Sequence, residues 1–311
     1  MKFTSPGEQE LPCAPVGIVG GGPAGLLLAR LLHRAGIGSV VLESRDRAYA
    51  ERRQRAGILE QATADVLREA GAGARLDREG MVHDGIEPRF DGRAHRVDFP
   101  SRTDGRRVVV YARTEVVKDL IALQLADGGP LLFGAEARAV EGADSARPLV
   151  RYTHEGRERT LARDYVVGCD GFHGIARGAV PEALRTTYER TCPYSWLGIL
   201  AEAPPVYDEL IHAHSPRGFA LASMRSPTVS RLYLQVPHGT DAADWPDGRI
   251  WDELHARFAL RARATTLHTE PDQSPFETRP RLARLDRIAS GGHAAAELAA
   301  DCTGLPFTTI G

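Results

Sequence analysis

Three glycines and one glutamate stand at the spacing that binds the diphosphate of a dinucleotide. Gly20, Gly22 and Gly25 form a Gly-x-Gly-x-x-Gly motif, and Glu43 ends the next apolar stretch. The first glycine allows a tight turn, the second lets the main chain approach a pyrophosphate, and the third lets a helix pack closely on a strand. A carboxylate at the position of Glu43 accepts hydrogen bonds from ribose hydroxyls. The motif predicts a dinucleotide site, and by itself it fits FAD or NAD.

The segments around this motif predict the β-α-β unit that such a site requires. Residues 16–20 form a short apolar strand, residues 26–35 a largely apolar helix, and residues 39–42 a second strand. The start of the helix presents free N–H groups and a partial positive charge to a bound pyrophosphate. With strand, helix and acidic residue in register, a glycine turn that binds no ligand is the weaker alternative.

Composition limits the class of protein. The chain has 311 residues, 42% of them hydrophobic and 26% charged, and a formal net charge of −2. These values are typical of a globular protein of one or two domains, with no general attraction to nucleic acid or membranes. No apolar run approaches the ~20 residues that span a bilayer. Residues 1–14 predict a disordered leader without a signal peptide.

The four cysteines are scattered along the chain without a Cys-x-x-Cys pair. This pattern argues against a metal site and against a disulfide framework, and it favours a cytoplasmic setting.

Further elements follow from periodicity. Helices are predicted for residues 58–70, ending at Gly71, for a segment that starts at Thr114 as N-cap, and for residues 247–258. Strand-like segments lie at residues 82–90, 106–112, 131–140, 149–153, 165–169, 219–225 and 232–236. In the last of these, alternation places Tyr233 on the face opposite to the leucines.

Several stretches resemble the FAD-dependent aromatic hydroxylases, in the order and spacing of that family. The resemblance runs from Val16 to about Phe258 and resumes at about Thr265. The matching stretches are residues 53–61, 81–85, 110–115, 167–174, 196–198, 216–223 and 235–237.

The resemblance implies an α/β (α+β) fold. We expect a Rossmann-like FAD-binding βαβ domain at residues 15–185. An inserted or adjacent mixed β-sheet substrate domain follows at residues 186–258, and a shortened, truncated C-terminal helical part at residues 259–311.

The same resemblance implies two cofactors, FAD and NADPH. Positive charge around the nicotinamide region suits a 2′-phosphate, although NADH remains possible and a solvated basic loop is the alternative for Arg45 and Tyr49. The residues implied for FAD are Gly20, Gly22, Ala24, Gly25, Glu43, Arg53, Gln54, Arg55, Ala56, Gly57, Arg113, Asp170 and Gly171. Those implied for the nicotinamide cofactor are Arg45, Tyr49, Arg53, Arg55 and His173.

The implied substrates are a small aromatic acid and O₂. An arginine suits the acid because its guanidinium is permanently charged and presents a planar fork to a carboxylate; an ordinary salt bridge is the alternative for Arg225. The residues implied for substrate binding are His212, Ser223, Met224, Arg225 and Tyr233. The residues implied for proton relay during catalysis are His83, His212 and Cys302.

His212 and Cys302 stand where family members that act on 4-hydroxybenzoate have tyrosines. Because an imidazole and a thiol then replace two phenols, we expect a modified 4-hydroxybenzoate, for example one with an amino group or a second hydroxyl.

One block of the family pattern is missing. No Gly-Asp dipeptide occurs in the chain, and the gap falls between about Phe258 and Thr265. In the family that aspartate binds the ribityl chain, and the helix after it faces the flavin. We therefore expect weakened FAD binding and exposed apolar surface.

These observations leave three functions open. The first is a FAD- and NAD(P)H-dependent monooxygenase that hydroxylates the ring of 4-hydroxybenzoate or a substituted 4-hydroxybenzoate, as in the conversion to 3,4-dihydroxybenzoate. The second is an internally deleted or non-catalytic relative that binds FAD or benzoate. The third is an NAD-dependent dehydrogenase. The family also implies a homodimer.

Overall fold

A computed structural model describes residues 14–53, 57–186, 188 and 191–260 of the protein. The helices are α1 Pro23–Arg34, α2 Arg47–Ala50, α3 Gln61–Glu69, α4 Gly73–Glu79, α5 Arg113–Ala126, α6 Ala176–Ala179 and α7 Asp247–Phe258. The strands are β1 Val16–Val19, β2 Ser39–Glu43, β3 Ile58–Glu60, β4 Met81–His83, β5 Gly85–Phe90, β6 Arg93–Ala94, β7 Val97–Asp98, β8 Val108–Val110, β9 Leu131–Phe133, β10 Glu136–Glu141, β11 Leu149–His154, β12 Arg157–Ala162, β13 Tyr165–Gly168, β14 Tyr194–Ala201, β15 Leu210–Ser215, β16 Gly218–Ser226 and β17 Val229–Pro237.

The first of two compact units comprises residues 14–80 and 111–188. Its centre is a parallel sheet with the order β13-β1-β2-β9. All four residues of β1 are buried, as expected for a parallel strand covered on both faces. Helix α1 packs Ala29 against Ile18 on one face. The antiparallel sheet β10-β11-β12 packs Val150 and Leu161 against Val40 on the other.

The second unit comprises residues 81–110 and 191–260. Its seven-stranded sheet has the order β14-β17-β16-β15-β5-β6, and β7 pairs with β5. The pairing of β5 with β15 is parallel and joins residues 81–110 to the later strands. Helix α7 packs Ile250 and Leu254 against Ala220 and Leu234, so one face of this sheet forms a core.

The predicted β-α-β unit is confirmed, with α1 beginning at Pro23 because proline is favoured in the first turn of a helix. The predicted helix 58–70 is wrong in its first turn, since residues 58–60 form β3 and α3 begins at Gln61. Gly71 does follow that helix, at a positive φ of 80°.

The predicted N-cap at Thr114 is wrong. Ala112 is the N-cap of α5, and the Thr114 hydroxyl instead donates a hydrogen bond to the Arg53 carbonyl oxygen at 2.9 Å. Apart from Ala14, Ala259 and Leu260, the predicted leader and C-terminal helical segment lie outside the described residues. In the ranges that are described, no helix has the length and apolar character that a membrane crossing needs.

Candidate functional site

The glycine turn follows β1 at the carboxyl end of the parallel sheet. Gly20 has a φ of +106°, and a Cβ atom there would collide with the carbonyl oxygen of Cys169. A Cβ at Gly25 would collide with the carbonyl oxygen of Gly20. A Cβ at Gly22 would meet nothing within 4 Å. Gly20 and Gly25 are therefore required by packing, whereas Gly22 keeps open the space in front of α1, for which it is the N-cap.

Glu43 is held beside this turn by main-chain donors. Its Oε2 accepts a hydrogen bond from the Gly21 N–H at 2.9 Å, and its Oε1 accepts one from the Arg45 N–H at 2.9 Å. A Cβ at Gly21 would lie 2.7 Å from the Glu43 Cβ, so a third glycine of the turn is required by packing. Gly21 was not predicted as a site residue, because the Gly-x-Gly-x-x-Gly motif leaves that position variable.

The Asp-Gly turn lies after β13, at the same end of the sheet. Asp170 accepts a hydrogen bond from the Ala176 N–H at 2.9 Å, and Gly171 has a φ of +79°. The contact between Gly20 and Cys169 shows that this turn abuts the glycine turn. Ligands of open α/β sheets bind outside the carboxyl ends of the strands, which is where β1, β2 and β13 bring these groups together.

A basic and aromatic cluster follows Glu43. The guanidinium carbons of Arg45 and Arg53 lie 5.3 Å and 6.0 Å from the ring centroid of Tyr49. The cluster is built on α2, whose N-cap Asp46 accepts a hydrogen bond from the Tyr49 N–H at 2.7 Å. Two cations gathered on one half-exposed ring make this region attractive to an anion.

The remaining predicted cofactor residues are placed as follows. Arg113 begins α5 and is partly exposed, and Gly57 accepts a hydrogen bond from the Tyr111 N–H at 2.8 Å. His173 is exposed, with its ring edge-on to Phe172 at 5.0 Å. Ala24 lies on the first turn of α1. Gln54, Arg55 and Ala56 lie outside the described residues.

In the second unit, cross-strand register brings the predicted substrate residues onto one face of the sheet. His212 pairs with Leu221, and Leu221 pairs with Tyr233. Ser223 pairs with Arg231 one step further along, and its hydroxyl donates a hydrogen bond to the Arg231 carbonyl oxygen at 3.1 Å. Because alternate residues share a face, His212, Tyr233 and Ser223 lie on the face opposite to α7.

Arg225 lies at an irregularity of this sheet. The register of β16 and β17 shifts between Met224 and Ser226, so Arg225 occupies a β-bulge, and its Nε atom is buried. Bulges re-aim side chains and are common beside functional sites. The position of the bulge depends on strand pairing, which the pattern within one strand does not encode.

Arg231 and an aromatic band complete this face, and neither was predicted as part of a site. The Arg231 guanidinium lies 4.8 Å from the ring centroid of Tyr233. Trp196 packs edge-on to Tyr233 at 6.4 Å and to Phe219 at 5.3 Å, and the His212 ring lies 6.0 Å from Phe219. The alternation of β14, with Trp196 on the face away from α7, is the signal that identifies the band.

His83 and Met224 contact each other away from the sheet face that carries Ser223 and Tyr233. The His83 side chain is almost fully buried, its Nε2 lies 3.4 Å from the Met224 sulfur, and its Nδ1 has no hydrogen-bond partner among the described residues. Met224 packs with Val110 and Leu210, so its side chain does not share the face of Ser223. The side chain of Met224 therefore does not lie with the other predicted substrate residues.

Burial governs the protonation of both histidines. It lowers the pKa of His83, against the opposing effect of Glu209, Asp208 and Asp84. It also lowers the pKa of His212. Both imidazoles are therefore neutral near pH 7, and neutral imidazole accepts a proton. Cys302 lies outside the described residues. In the part of the chain that is described, no three His, Cys, Asp or Glu side chains gather as a metal ion requires.

Fold and site together define a dinucleotide-binding α/β protein whose second, β-rich unit carries a cationic and aromatic sheet face. The chain belongs to the FAD binding domain family, whose profile matches residues 13–288.

Two relatives share much of the sequence. The chain is 44% identical over 244 residues to p-hydroxybenzoate hydroxylase of Acinetobacter baylyi, a match that covers 78% of this chain and 60% of the relative. It is 26% identical over 310 residues to 3-(3-hydroxy-phenyl)propionate/3-hydroxycinnamic acid hydroxylase of Comamonas testosteroni, covering 91% of this chain and 48% of that one. The chain thus spans less than two thirds of either relative's length.

Solved structures share the fold. Pseudomonas putida p-nitrophenol 4-monooxygenase superposes with a TM-score of 0.66 at 20% identity, over 84% of this chain and 65% of that one. Pseudomonas aeruginosa PqsL in complex with 2-aminobenzoylacetate superposes with a TM-score of 0.68 at 24% identity, over 80% and 68% of the two chains.

Proposed function

We propose that this chain is a FAD-dependent monooxygenase that hydroxylates the ring of a 4-hydroxybenzoate-type acid with NADPH and O₂. The observation that carries the proposal is the register of β15, β16 and β17. It places His212, Tyr233 and Ser223 on one sheet face, in a chain 44% identical to p-hydroxybenzoate hydroxylase. The comparisons support an aromatic hydroxylase, and the particular acid is our inference.

FAD fits the glycine turn of the first unit. The open space at Gly22 and the N-terminus of α1 suit a diphosphate, and the Glu43 carboxylate, oriented by the Gly21 N–H, suits a ribose. Family membership favours FAD over the NAD of the dehydrogenase alternative. When bound, FAD supplies the redox chemistry, as hydride acceptor and activator of O₂. Asp170 and Gly171 border the same edge of the sheet.

The cluster of Arg45, Tyr49 and Arg53 is our proposed contact for the nicotinamide cofactor. Two guanidiniums lie within about 6 Å of one ring centroid, a distance typical of cation–π pairs. Guanidinium groups bind phosphate through paired hydrogen bonds, so the 2′-phosphate of NADPH gains contacts that NADH lacks. His173 and Arg55 remain predicted members of this contact.

The substrate carboxylate is proposed to lie against Ser223, Arg225 and Tyr233. Arg231, stacked on the Tyr233 ring, adds a second positive charge to the same region and favours an anion there. The Ser223 hydroxyl already donates to the Arg231 carbonyl oxygen, so it must rotate to donate to a carboxylate. Arg225 and Tyr233 therefore carry most of the proposed carboxylate binding.

His212 is proposed to act on the ring hydroxyl. It lies in the same cross-strand row as Tyr233, with Leu221 of β16 between them, and the two outer strands are about 10 Å apart. The proposed acid therefore lies over Leu221, with one end toward each of these side chains. A neutral His212 accepts the phenolic proton, and the resulting phenolate makes the ring electron-rich. The relay roles of His83 and Cys302 stay predictions; the Nε2 of His83 faces the Met224 sulfur.

A single preparation tests the proposal. The purified chain is loaded with FAD, and NADPH oxidation is followed with and without 4-hydroxybenzoate and its 3-amino and 2-hydroxy derivatives under ¹⁸O₂. We expect aromatic acids to accelerate NADPH oxidation and the product to carry one ¹⁸O atom. A substituted acid should turn over faster than plain 4-hydroxybenzoate, because His212 replaces a phenol at the hydroxyl end.

Two results would contradict the proposal. Binding of FAD and benzoate without accelerated NADPH oxidation would identify a non-catalytic relative. Fastest turnover of unsubstituted 4-hydroxybenzoate would leave the reaction standing and refute the choice of substrate.

A further inference from the structure

Two hydrogen bonds hold Arg53 and Gly57 to the chain around the start of α5. The hydroxyl of the buried Thr114 donates to the Arg53 carbonyl oxygen at 2.9 Å. The Tyr111 N–H donates to the carbonyl oxygen of the buried Gly57 at 2.8 Å. Threonine hydroxyls commonly bond to main-chain groups that are close in sequence, whereas Thr114 bonds to a residue 61 positions away. The partner of this hydroxyl is therefore set by the fold of the first unit.

A polar network holds the start of α5 in place. Tyr111 is buried, and its phenol donates to Asp119 Oδ2 at 2.7 Å. The Arg75 guanidinium of α4 donates to Asp119 Oδ1 at 2.6 Å and to Glu115 Oε2 at 2.5 Å. Burial, reinforced by the Asp119 carboxylate, raises the pKa of Tyr111, so the phenol remains a donor at neutral pH. The two hydrogen bonds therefore start from a part of α5 that is itself fixed.

Both arginines of the basic and aromatic cluster are held at their main chain. The Arg45 N–H donates to Glu43 Oε1, and the Arg45 carbonyl oxygen accepts from the main chain after β9, each at 2.9 Å. The Arg53 N–H donates to a carbonyl oxygen of α2 at 3.0 Å, and the Arg53 carbonyl oxygen accepts from Thr114. The Glu43 carboxylate is assigned to a ribose, whereas the Thr114 hydroxyl has no assigned cofactor contact. A substitution of Thr114 therefore changes the support of Arg53 and leaves the proposed contacts themselves intact.

We propose that Thr114 is a positioning residue for the nicotinamide cofactor. Its hydroxyl fixes the main chain of Arg53, whose guanidinium lies 6.0 Å from the Tyr49 ring centroid in the cluster with Arg45. Groups that are already in place bind more tightly, because less freedom is lost on binding. The inference rests on the proposed function, in which this cluster contacts the 2′-phosphate of NADPH.

Calorimetric titration with NADP⁺ tests the inference on the full chain in excess FAD. Thr114→Val keeps the shape of the side chain and removes the hydroxyl, so NADP⁺ affinity should fall by about threefold to tenfold, as expected for one hydrogen bond. NAD⁺, which lacks the 2′-phosphate, should bind the variant and the parent protein alike. Thr114→Ser, which keeps the hydroxyl, should restore NADP⁺ binding. Thr63→Val, at an exposed threonine of α3, is the matched control and should behave as the parent protein does.

A double-mutant cycle shows whether Thr114 acts through Arg53. Arg53→Gln should weaken NADP⁺ binding, and adding Thr114→Val to it should cause no further loss, because the positioned group is already gone. Thr114→Ala, which removes the same hydroxyl, should behave like Thr114→Val in both backgrounds, so a folding defect in one variant does not decide the test.

The outcomes separate this inference from the proposed function. Unchanged NADP⁺ affinity in Arg53→Gln would refute the proposed nicotinamide contact, and this inference with it. A loss in Arg53→Gln without a loss in Thr114→Val and Thr114→Ala would overturn this inference alone. An equal loss for NAD⁺, an equal loss in Thr114→Ser, or a full further loss in the Arg53→Gln background would also overturn it, because each would assign Thr114 a packing role.

Discussion

Gly20 and Gly22 belong to one motif, yet the structure imposes different constraints on them. A side chain at Gly20 meets the Cys169 carbonyl and an unfavourable positive φ, whereas a side chain at Gly22 meets no protein atom. We therefore expect Gly22→Ala to leave the thermal midpoint almost unchanged and to weaken FAD binding by about tenfold or more, since the methyl group fills the space proposed for the diphosphate. Flavin-fluorescence titration measures the affinity.

Gly20→Ala is the matched comparison at the same turn. It should lower the thermal midpoint of the apoprotein, because strain and collision cost about 1–3 kcal/mol or more without any ligand. Equal loss of midpoint in both variants would show that Gly22 has a packing role, and would remove the argument that its open space holds a diphosphate.

Arg225 is the residue through which the proposed carboxylate binding in the second unit can be tested. Arg225→Lys keeps the charge and loses the planar fork, so the affinity for 4-hydroxybenzoate should fall by about 10-fold to 100-fold, the equivalent of ~1.5–3 kcal/mol for a charge-assisted hydrogen bond. Calorimetric titration measures this loss. Phenol, which has no carboxylate, should bind the variant and the parent protein equally. A parallel loss of phenol affinity would mean that the substitution disturbs the fold around the bulge.

At the level of elements, the alternation of residues along one strand predicts which face of the sheet a side chain occupies. It predicted that Tyr233 points away from the leucines, and the pairing of β16 with β17 confirms that placement. The bulge at Arg225 and the packing of Arg231 on Tyr233 were not predicted. They depend on how two strands pair, and periodicity within one strand does not encode that.

The errors in the first unit have the same origin. Residues 58–60 fit an apolar helical pattern but form a strand, and Thr114 has the chemistry of an N-cap but bonds to the Arg53 carbonyl. In both places a tertiary partner overrides the local preference. The β-α-β unit was predictable because the glycine turn, the apolar helix and the glutamate at the end of the second strand all indicate the same unit.

The buried histidines of the second unit predict acid sensitivity. The folded-state pKa values of His83 and His212 lie below the unfolded value of about 6.5. Between the two values only the unfolded chain binds the proton, so the free energy of unfolding falls as pH falls below ~6.5, by up to about 1.4 kcal/mol per pH unit for each histidine. The stabilising effect is complete above that pH.

Tryptophan fluorescence reports this effect for the second unit alone, because Trp196, Trp245 and Trp251, the three tryptophans of the chain, all lie there. Denaturant midpoints measured from pH 7.5 to pH 5 should decline, and His83→Leu should flatten the decline. His214→Gln, at an exposed histidine of the same strand as His212, should follow the parent protein. An unchanged slope in His83→Leu would contradict the assignment.

At the scale of the whole molecule, chain order and spatial order differ. Residues 81–110 leave the first unit, supply β5 to the sheet of the second, and the chain then returns at Tyr111 to complete the first. Periodicity predicts strands near residues 82–90 and 106–112 but does not say which sheet they join. The parallel pairing of Ile86 with Leu210 is a long-range contact, fixed by packing around Val110 and Met224.

At the scale of the whole chain, we expect the missing block to lower the affinity for FAD. This chain spans 60% of the length of the Acinetobacter p-hydroxybenzoate hydroxylase and has no Gly-Asp dipeptide for the ribityl chain. The missing block would supply two polar contacts, one from the aspartate and one from the start of the helix after it. Losing both, at ~1.5–3 kcal/mol each, should weaken FAD binding by about 100-fold or more relative to that enzyme. Side-by-side titration of both proteins in one buffer measures the difference.

ADP provides the internal control, because it contains the adenosine and diphosphate that the glycine turn and Glu43 are proposed to bind. Gly20, Gly22, Gly25 and Glu43 are all present in this chain, so ADP should bind both proteins with affinities within about threefold, well under the tenfold that 1.4 kcal/mol produces. An equal loss for ADP and FAD would place the defect in the glycine turn itself. Equal FAD affinity in the two proteins would show that other residues of this chain replace the missing contacts.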